Sequence, residues 1–260
     1  MRAPDEPPSL TRTLRSFDGR GFVERSVEVI REVPLEVVLD GTRLATIACS
    51  GLHVEELAVG FLRAEGLLAD RDEVARVTVR DGAPVVCVDR RRPGDPALSP
   101  ADRTLGSSGA RGLGRASFPA PLHDCDLEVA PGQVLALMEA LLNDAAIHNL
   151  THGTHAAALA VPEGLLVVRE DIGRHNTLDM LGGHMLLGAI PGRDRILLTT
   201  GRVSAEIVQK VWRLGVPVLI SHSAPTSRAL ELLEEAGITL IGYVRKGRMN
   251  LYTEGRRVTG

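Results

Sequence analysis

Cysteine is scarce in this chain, which has only Cys49, Cys87 and Cys125 among 260 residues. Because these residues are widely spaced and odd in number, we expect neither a disulfide framework nor a metal site made from cysteine alone. Cys87 alternates in step with apolar residues of a predicted strand, and we interpret it as a small core residue. Cys125 lies between two aspartates, which disfavour a thiolate, so we interpret it as a structural or incidental thiol.

The chain also lacks long apolar runs and an excess of positive charge. No stretch approaches the ~20 apolar residues of a membrane span, and residues 1–8 lack the apolar core of a signal peptide. We therefore expect a cytoplasmic protein with no membrane contact. The formal net charge of −3 argues against a general affinity for nucleic acid. Any anion-binding site must be local.

The distribution of residue types predicts an α/β protein in three parts. Residues 1–20 are rich in proline and charge, and we expect a flexible N-terminal tail. Residues 21–121 predict a smaller, strand-rich α+β part with hairpins at 35–49 and 74–88 and a helix over 53–67. This part includes a Gly-rich loop at 104–117, which is either a mobile functional loop or a linker. Residues 122–260 alternate strands and helices, after a predicted helix over 133–148.

Polar residues follow three predicted strands of the last part. Residues 169–179 (REDIGRHNTLD) join a buried strand to a helix, where either a set of helix caps or a ligand site is expected. Similar junctions occur at 201–204 and 221–228, where Ser204 is placed to cap a helix and Pro225 to begin one. The run 243–248 adds three cations around a glycine, a pattern suited to phosphate. The candidate ligand-binding residues are Arg174, His175, Asn176, Arg202, Ser204, Tyr243, Val244, Arg245, Lys246, Gly247 and Arg248; no catalytic residue is assigned.

The segment 155–157 raises the alternative of a zinc deaminase. Zinc-dependent nucleobase deaminases use His-x-Glu and a later Pro-Cys-x-x-Cys, in which the glutamate moves protons at a metal-bound water. In this chain Ala157 occupies the glutamate position, and Pro-Cys-x-x-Cys does not occur in the sequence. We therefore expect neither zinc nor its chemistry.

Several of these blocks together resemble the formate dehydrogenase accessory family, the FdhD-type sulfur carrier proteins. The resemblance implies a C-terminal domain like that of cytidine deaminases, without the metal. It implies that the chain binds the bis-guanine-dinucleotide molybdenum cofactor as a client and delivers to it sulfur from a cysteine desulfurase, before the cofactor enters molybdenum-dependent formate dehydrogenase. A homodimer is also implied. The matching blocks are 32–35, 55–62, 154–159, 169–179, 201–204, 206–210, 223–227 and 245–252.

The chain departs from the family at its sulfur-carrying loop. The family holds sulfur on a Cys-x-x-Cys pair, and alignment on residues 114–117 places Ala110 and Leu113 at the two cysteine positions. Neither side chain can hold a persulfide. Two alternatives therefore accompany the sulfurtransferase interpretation: a cofactor chaperone that only binds, and a metal-free nucleotide-binding regulator.

Overall fold

The computed structural model describes residues 7–80, 83–92, 104–105, 118–253 and 255–260. Within these ranges the chain forms three β-sheets and six α-helices, so the predicted mixed α/β class is confirmed. No helix in the described ranges has the length and apolar character needed to cross a membrane.

An N-terminal hairpin occupies most of the predicted flexible tail. Its strands are β1 (Ser9–Phe17) and β2 (Phe22–Ile30), paired antiparallel along their whole length. Asp18 closes the turn by accepting hydrogen bonds from the N–H groups of Arg20 and Gly21. The prediction of a flexible tail is therefore wrong for residues 9–17, where cross-strand pairing outweighs a composition rich in charge; residues 1–6 lie outside the described ranges.

A five-stranded sheet forms the core of the N-terminal part. Both predicted hairpins are confirmed as antiparallel pairs, and a parallel pair joins them into one sheet. Of the Gly-rich loop 104–117, two residues form a short strand on this sheet, and residues 106–117 lie outside the described ranges. The sheet order is β5-β6-β3-β4-β7, and its elements are β3 (Val33–Leu39), β4 (Thr42–Cys49), α1 (Val54–Ala64), a 3-10 turn at Arg71–Glu73, β5 (Val74–Val79), β6 (Val85–Arg90) and β7 (Thr104–Leu105).

A six-stranded sheet with helices on both faces forms the C-terminal part. The predicted helix over 133–148 is divided in two at Ala145, whose ψ of 67° leaves the helical region. The final helix begins at Ser227 rather than at Pro225, because Pro225 pairs with Val203 and Thr226 caps the helix. The sheet order is β13-β12-β11-β10-β8-β9, and the elements are α2 (Pro131–Asp144), α3 (Ala146–Thr151), β8 (His155–Val161), β9 (Gly164–Asp171), α4 (Arg174–Leu187), β10 (Ile196–Thr199), α5 (Ala205–Leu214), β11 (Val218–Ser221), α6 (Ser227–Ala236), β12 (Thr239–Arg245) and β13 (Arg248–Leu251).

Helix α4 is shared by the cores of both parts. Leu178 and Leu181 pack beneath the six-stranded sheet, whereas Met180 and Leu186 pack with the core of the five-stranded sheet. Helices α1 and α4 pack closely through one glycine of each helix, Gly60 of α1 and Gly183 of α4. A Cβ at either position would collide with the backbone of the other helix. The predicted parts 21–121 and 122–260 are thus joined by a common helix and continuous packing.

Candidate functional site

The polar junctions predicted after the C-terminal strands lie along one edge of the six-stranded sheet. Strands β9 to β12 end there, and the antiparallel β8 begins there with His155 opposite Asp171. Neighbouring junctions contact each other: the Val203 N–H donates to the Ala224 carbonyl at 3.2 Å, and the Tyr243 N–H donates to the Ser223 carbonyl at 2.9 Å. We call this the carboxyl edge. Open α/β sheets place ligands at this edge.

Five basic side chains gather along the carboxyl edge, and we call them the basic cluster: His148, His155, Arg174, His222 and Arg245. Partial burial lowers the pKa of His155, and the nearby charges of Arg174 and His148 lower it further. Burial likewise lowers the pKa of His222, with Arg245 and His148 as the neighbouring charges. Neighbouring basic groups thus disfavour the protonated form of each imidazole. A bound anion would have the opposite effect and would stabilise the charged forms of all five side chains.

Two polar atoms at the carboxyl edge are buried without a hydrogen-bond partner among the described residues. They are Nε of Arg174 and Oγ of Ser204. Ser204 occupies the N-cap position of α5, as predicted, but its hydroxyl makes no capping hydrogen bond, so the prediction that it caps this helix is wrong. Arg174 packs closely on Gly201, where an added Cβ would lie 2.8 Å from the Arg174 Cβ. Buried donors of this kind indicate a place for a polar ligand.

The turn at 243–248 lies at the end of β12 and continues into β13. Tyr243 has a left-handed φ of 57°, which is unusual for a large side chain, and the Arg245 guanidinium lies 3.5 Å from the centre of its ring. Lys246 and Gly247 both have positive φ and form the two-residue hairpin turn. Arg202, Arg245, Lys246 and Arg248 are exposed, whereas the side chain of Val244 is in the core and leaves only its main chain for a ligand.

Most side chains of the stretch 169–179 contact the interior instead of the carboxyl edge. Arg169 donates to both oxygens of Glu56 on α1, at 2.5 and 2.7 Å. Asp171 accepts from Ser50 and from Asn176, and burial raises the pKa of its carboxyl group. The Asn176 amide also donates to the Ala48 carbonyl at 2.8 Å. These contacts fix the junction to the N-terminal part, and Arg174 is the residue of this stretch with a side chain in the basic cluster.

His175 belongs to a buried ionic network between α4 and α5. Its Nε2 lies 3.6 Å from Oε2 of Glu206. Lys210 donates to both carboxylate oxygens of Asp179, at 2.6 and 2.7 Å, and lies 3.9 Å from Glu206. Burial raises the pKa of Glu206 to about 7. His175 therefore supports the helix that carries Arg174 and does not itself line the carboxyl edge.

Cys125 lies far from the carboxyl edge, whereas Cys49 lies between Ala48 and Ser50, which contact Asn176 and Asp171. The Cys125 thiol donates to the carbonyl of Arg193, three residues before β10 begins, which places it at the opposite edge of the sheet. Arg257 holds the same region, donating to the Cys125 and Gly237 carbonyls. Cys49 is buried. Cys87 is half-buried on the face of β6 opposite to Val86 and Val88, so the prediction that it is a core residue is wrong.

The predicted ligand-binding residues omit three members of the basic cluster, His148, His155 and His222. His222 directly follows β11, and the rule that polar residues after strand ends share one edge could have identified it. His148 lies on α3, and no local signal indicates its position, because α3 is held in place by Glu170 of β9 accepting from its first N–H groups.

Comparisons with known proteins show the family and the fold of this chain. Residues 30–259 match the FdhD/NarQ family. The chain is 37% identical to the sulfur carrier protein FdhD of Halalkalibacterium halodurans, with 97% of this chain and 96% of that protein covered. It is 38% identical to the protein of the same name from Bacillus subtilis, over 88% and 90% of the two chains. The crystal structure of a putative formate dehydrogenase accessory protein from Desulfotalea psychrophila has the same fold, with a TM-score of 0.80, 24% identity and coverage of 97% of this chain and 100% of that one.

Proposed function

Since this chain belongs to the FdhD/NarQ family, we propose that it is an accessory protein of molybdenum-dependent formate dehydrogenase that binds the bis-guanine-dinucleotide molybdenum cofactor at the carboxyl edge. The observation that carries the proposal is the basic cluster, because it gathers two guanidinium cations and three imidazoles, which an anion would help to protonate, in a protein whose net charge is −3. The two pyrophosphate groups of the cofactor would neutralise these cations.

The chemistry of the donor set fits such a substrate. Guanidinium groups bind phosphate oxygens with paired hydrogen bonds, and neutral or protonated imidazoles add further donors. The buried Nε of Arg174 and Oγ of Ser204 supply two donors whose hydrogen-bonding capacity is unused within the described residues. Arg245 and Arg248 are exposed, and we propose that they contact the distal, guanine-bearing parts of the ligand.

Among the two roles that the family resemblance implies, cofactor binding is better supported than sulfur delivery. The positions of the carrier cysteines are Ala110 and Leu113, which lie outside the described residues. Cys125 lies at the edge of the sheet opposite to the basic cluster. We therefore propose a chaperone that receives the cofactor and hands it to the dehydrogenase. A cysteine desulfurase partner, a homodimer and a cytoplasmic location stay predictions.

We also propose that residues 122–260 form a cytidine-deaminase-like scaffold that has no zinc. Support comes from the sheet with helices on both faces, with His155 at the first position of the His-x-Glu pattern. The glutamate position, Ala157, is fully buried in β8 opposite Thr199, so no proton-transferring group stands there. On this scaffold the site would bind a nucleotide without acting on its base.

Purification from a host that makes the cofactor tests the proposal. We expect molybdenum and pterin to copurify with the wild-type protein, measured by mass spectrometry of the metal and by fluorescence of the oxidised pterin. Arg174→Ala should remove both. A protein that binds guanosine diphosphate in calorimetry but never retains molybdenum or pterin would be a nucleotide-binding regulator instead. Expression of this protein in a strain that lacks its own accessory protein should restore formate dehydrogenase activity. That result would show that the protein acts in the maturation of the enzyme.

A further inference from the structure

The hairpin β1–β2 is attached to the rest of the chain only near its base, within the described residues. Ile30 packs on Gly153, where an added Cβ would lie 2.8 Å from Cγ2 of Ile30, and the Arg31 N–H closes the base of the hairpin itself by donating to the Pro8 carbonyl at 2.8 Å. The other residues of both strands are mostly exposed. An isolated two-stranded hairpin is at best marginally stable in water unless it packs against something.

The two faces of this hairpin differ in chemistry. One face carries Ser9, Thr11, Thr13, Ser26 and the carboxylates of Glu24 and Glu28, and Ser9 and Thr11 donate to Glu28. The same face also carries Arg15, Ile30 and, beside the turn, the exposed pair Phe17 and Phe22, whose rings contact each other. The opposite face, which we call the aliphatic face, carries five branched apolar side chains, two arginines and a serine. Its residues are Leu10, Arg12, Leu14, Ser16, Val23, Arg25, Val27 and Val29.

The aliphatic face is open to solvent. Leu14 is 41%, Val23 38% and Val29 41% exposed, although each points to the same side of the sheet as its apolar neighbours. The turn is already fixed by Asp18, so the hairpin presents this face in a defined shape. A continuous apolar patch on a preformed element indicates a protein-binding surface.

The charged residues of the hairpin indicate whether the aliphatic face binds a second copy of this chain or a different protein. Arg12 and Arg25 lie on the aliphatic face, and the carboxylates of the two strands, Glu24 and Glu28, lie on the other face. Two copies packed through the aliphatic face would bury these arginines without a carboxylate from either copy's aliphatic face to pair with them. A partner with apolar side chains bordered by carboxylates would satisfy both the aliphatic residues and the guanidinium groups.

The hairpin base also lies beside the proposed cofactor site. Gly153 links α3 to β8, and these two elements carry His148 and His155 of the basic cluster. A protein that takes a ligand from the carboxyl edge would therefore approach next to the hairpin. Resting on the proposed function, we propose that the aliphatic face docks the enzyme that receives the cofactor, through an apolar surface of that enzyme bordered by carboxylates.

The test measures binding of the full-length protein to the apo form of the molybdenum-dependent formate dehydrogenase from the same organism, by biolayer interferometry. Leu14→Glu and Val23→Glu should each weaken binding about tenfold or more, the usual scale for a central interface residue. Thr13→Glu and Ser26→Glu are matched controls, because they add the same charge to the opposite face of the hairpin; they should change affinity by less than about twofold. Arg12→Ala with Arg25→Ala, which preserves the apolar residues, should weaken binding most at low salt.

Three outcomes would overturn this proposal. One is a wild-type protein that does not bind the apo-dehydrogenase; another is equal loss in the aliphatic-face variants and their controls. The third is a wild-type dimer, seen by light scattering, that Leu14→Glu dissociates while dehydrogenase binding is kept. Affinity for guanosine diphosphate, measured in parallel, separates the two proposals, because its absence in the wild type counts against the cofactor site and leaves the hairpin result intact.

Discussion

Gly60 of α1 lies directly against the carbonyl group of Asp179 on α4, with no room for a side chain at position 60. Replacing Gly60 with alanine must push the two helices apart and disturb the core on both sides. We expect Gly60→Ala to lower the free energy of unfolding by ~3 kcal/mol, the upper range for overpacking. Gly132→Ala on α2, where nothing lies within 4 Å of an added Cβ, should change it by less than ~1 kcal/mol. Urea denaturation measures both; equal stability of the two variants would contradict the contact.

Glu206 gives the stability a pH dependence of known sign. Burial raises its pKa from 4.5 to about 7, so between these values the folded protein holds a proton that the unfolded chain has released. Its contribution to stability is present below about pH 4.5 and is lost as pH rises through 7. Glu206→Gln should therefore gain unfolding free energy relative to wild type from pH 5 to 7.5, by ~1 kcal/mol after allowing for partial exposure. A pH-independent difference would disprove the shift; the exposed Glu231→Gln is the control.

Arg245 and Arg248 should contribute directly to ligand affinity. Arg245→Ala or Arg248→Ala should weaken binding of a guanine dinucleotide by ~1.5–3 kcal/mol, the scale of one lost hydrogen bond to a charged group. Arg228 on α6 is exposed and pairs with Glu231, so Arg228→Ala serves as a control for the loss of one positive charge. Unchanged affinity in both turn variants, measured by calorimetry, would remove this turn from the site.

Ligand binding at the basic cluster should take up protons. The pKa values of His155 and His222 are lowered in the free protein, by burial and then by neighbouring cations. A bound pyrophosphate would offset those cations and raise both pKa values, so affinity should increase as pH falls from 7.5 to 6, by at most about tenfold per pH unit for each proton. Calorimetry in buffers of different ionisation enthalpy measures the uptake. His155→Gln with His222→Gln should reduce it, and a flat pH profile in the wild type would show that these imidazoles do not face the ligand.

The chain should gain no stable persulfide from a cysteine desulfurase. Sulfur transfer needs an accessible thiolate, and Cys125 is held by the Arg193 carbonyl while Cys49 is buried. After incubation with desulfurase and cysteine, mass spectrometry should show no adduct of roughly +32 Da, the mass of one added sulfur atom. Ala110→Cys with Leu113→Cys should create such an adduct. An adduct on Cys125 in the wild type would make that residue the carrier.

The sequence is most informative about local structure in this chain. Apolar runs predicted the strands of the C-terminal sheet, and the order of strands and polar junctions predicted that one edge would gather them. It is least informative about long-range polar contacts. Arg169 pairs with Glu56, 113 positions away, and Asp171 with Ser50, 121 positions away. Such partners cannot be deduced from the spacing of residues in the sequence. Because most side chains of the stretch 169–179 have partners of this kind, they stabilise the fold, whereas Arg174 lies at the carboxyl edge.

Because α4 belongs to both cores and begins at Arg174, the occupancy of the carboxyl edge and the integrity of the distant five-stranded sheet are thermodynamically linked. A ligand that binds only the native state adds RT ln(1 + [L]/Kd) to the stability of everything that unfolds together with its site. Amides of β3 and β6, which belong to the five-stranded sheet, should therefore exchange their hydrogens more slowly when the ligand is bound. Hydrogen exchange in the N-terminal sheet would then measure whether a ligand occupies the carboxyl edge.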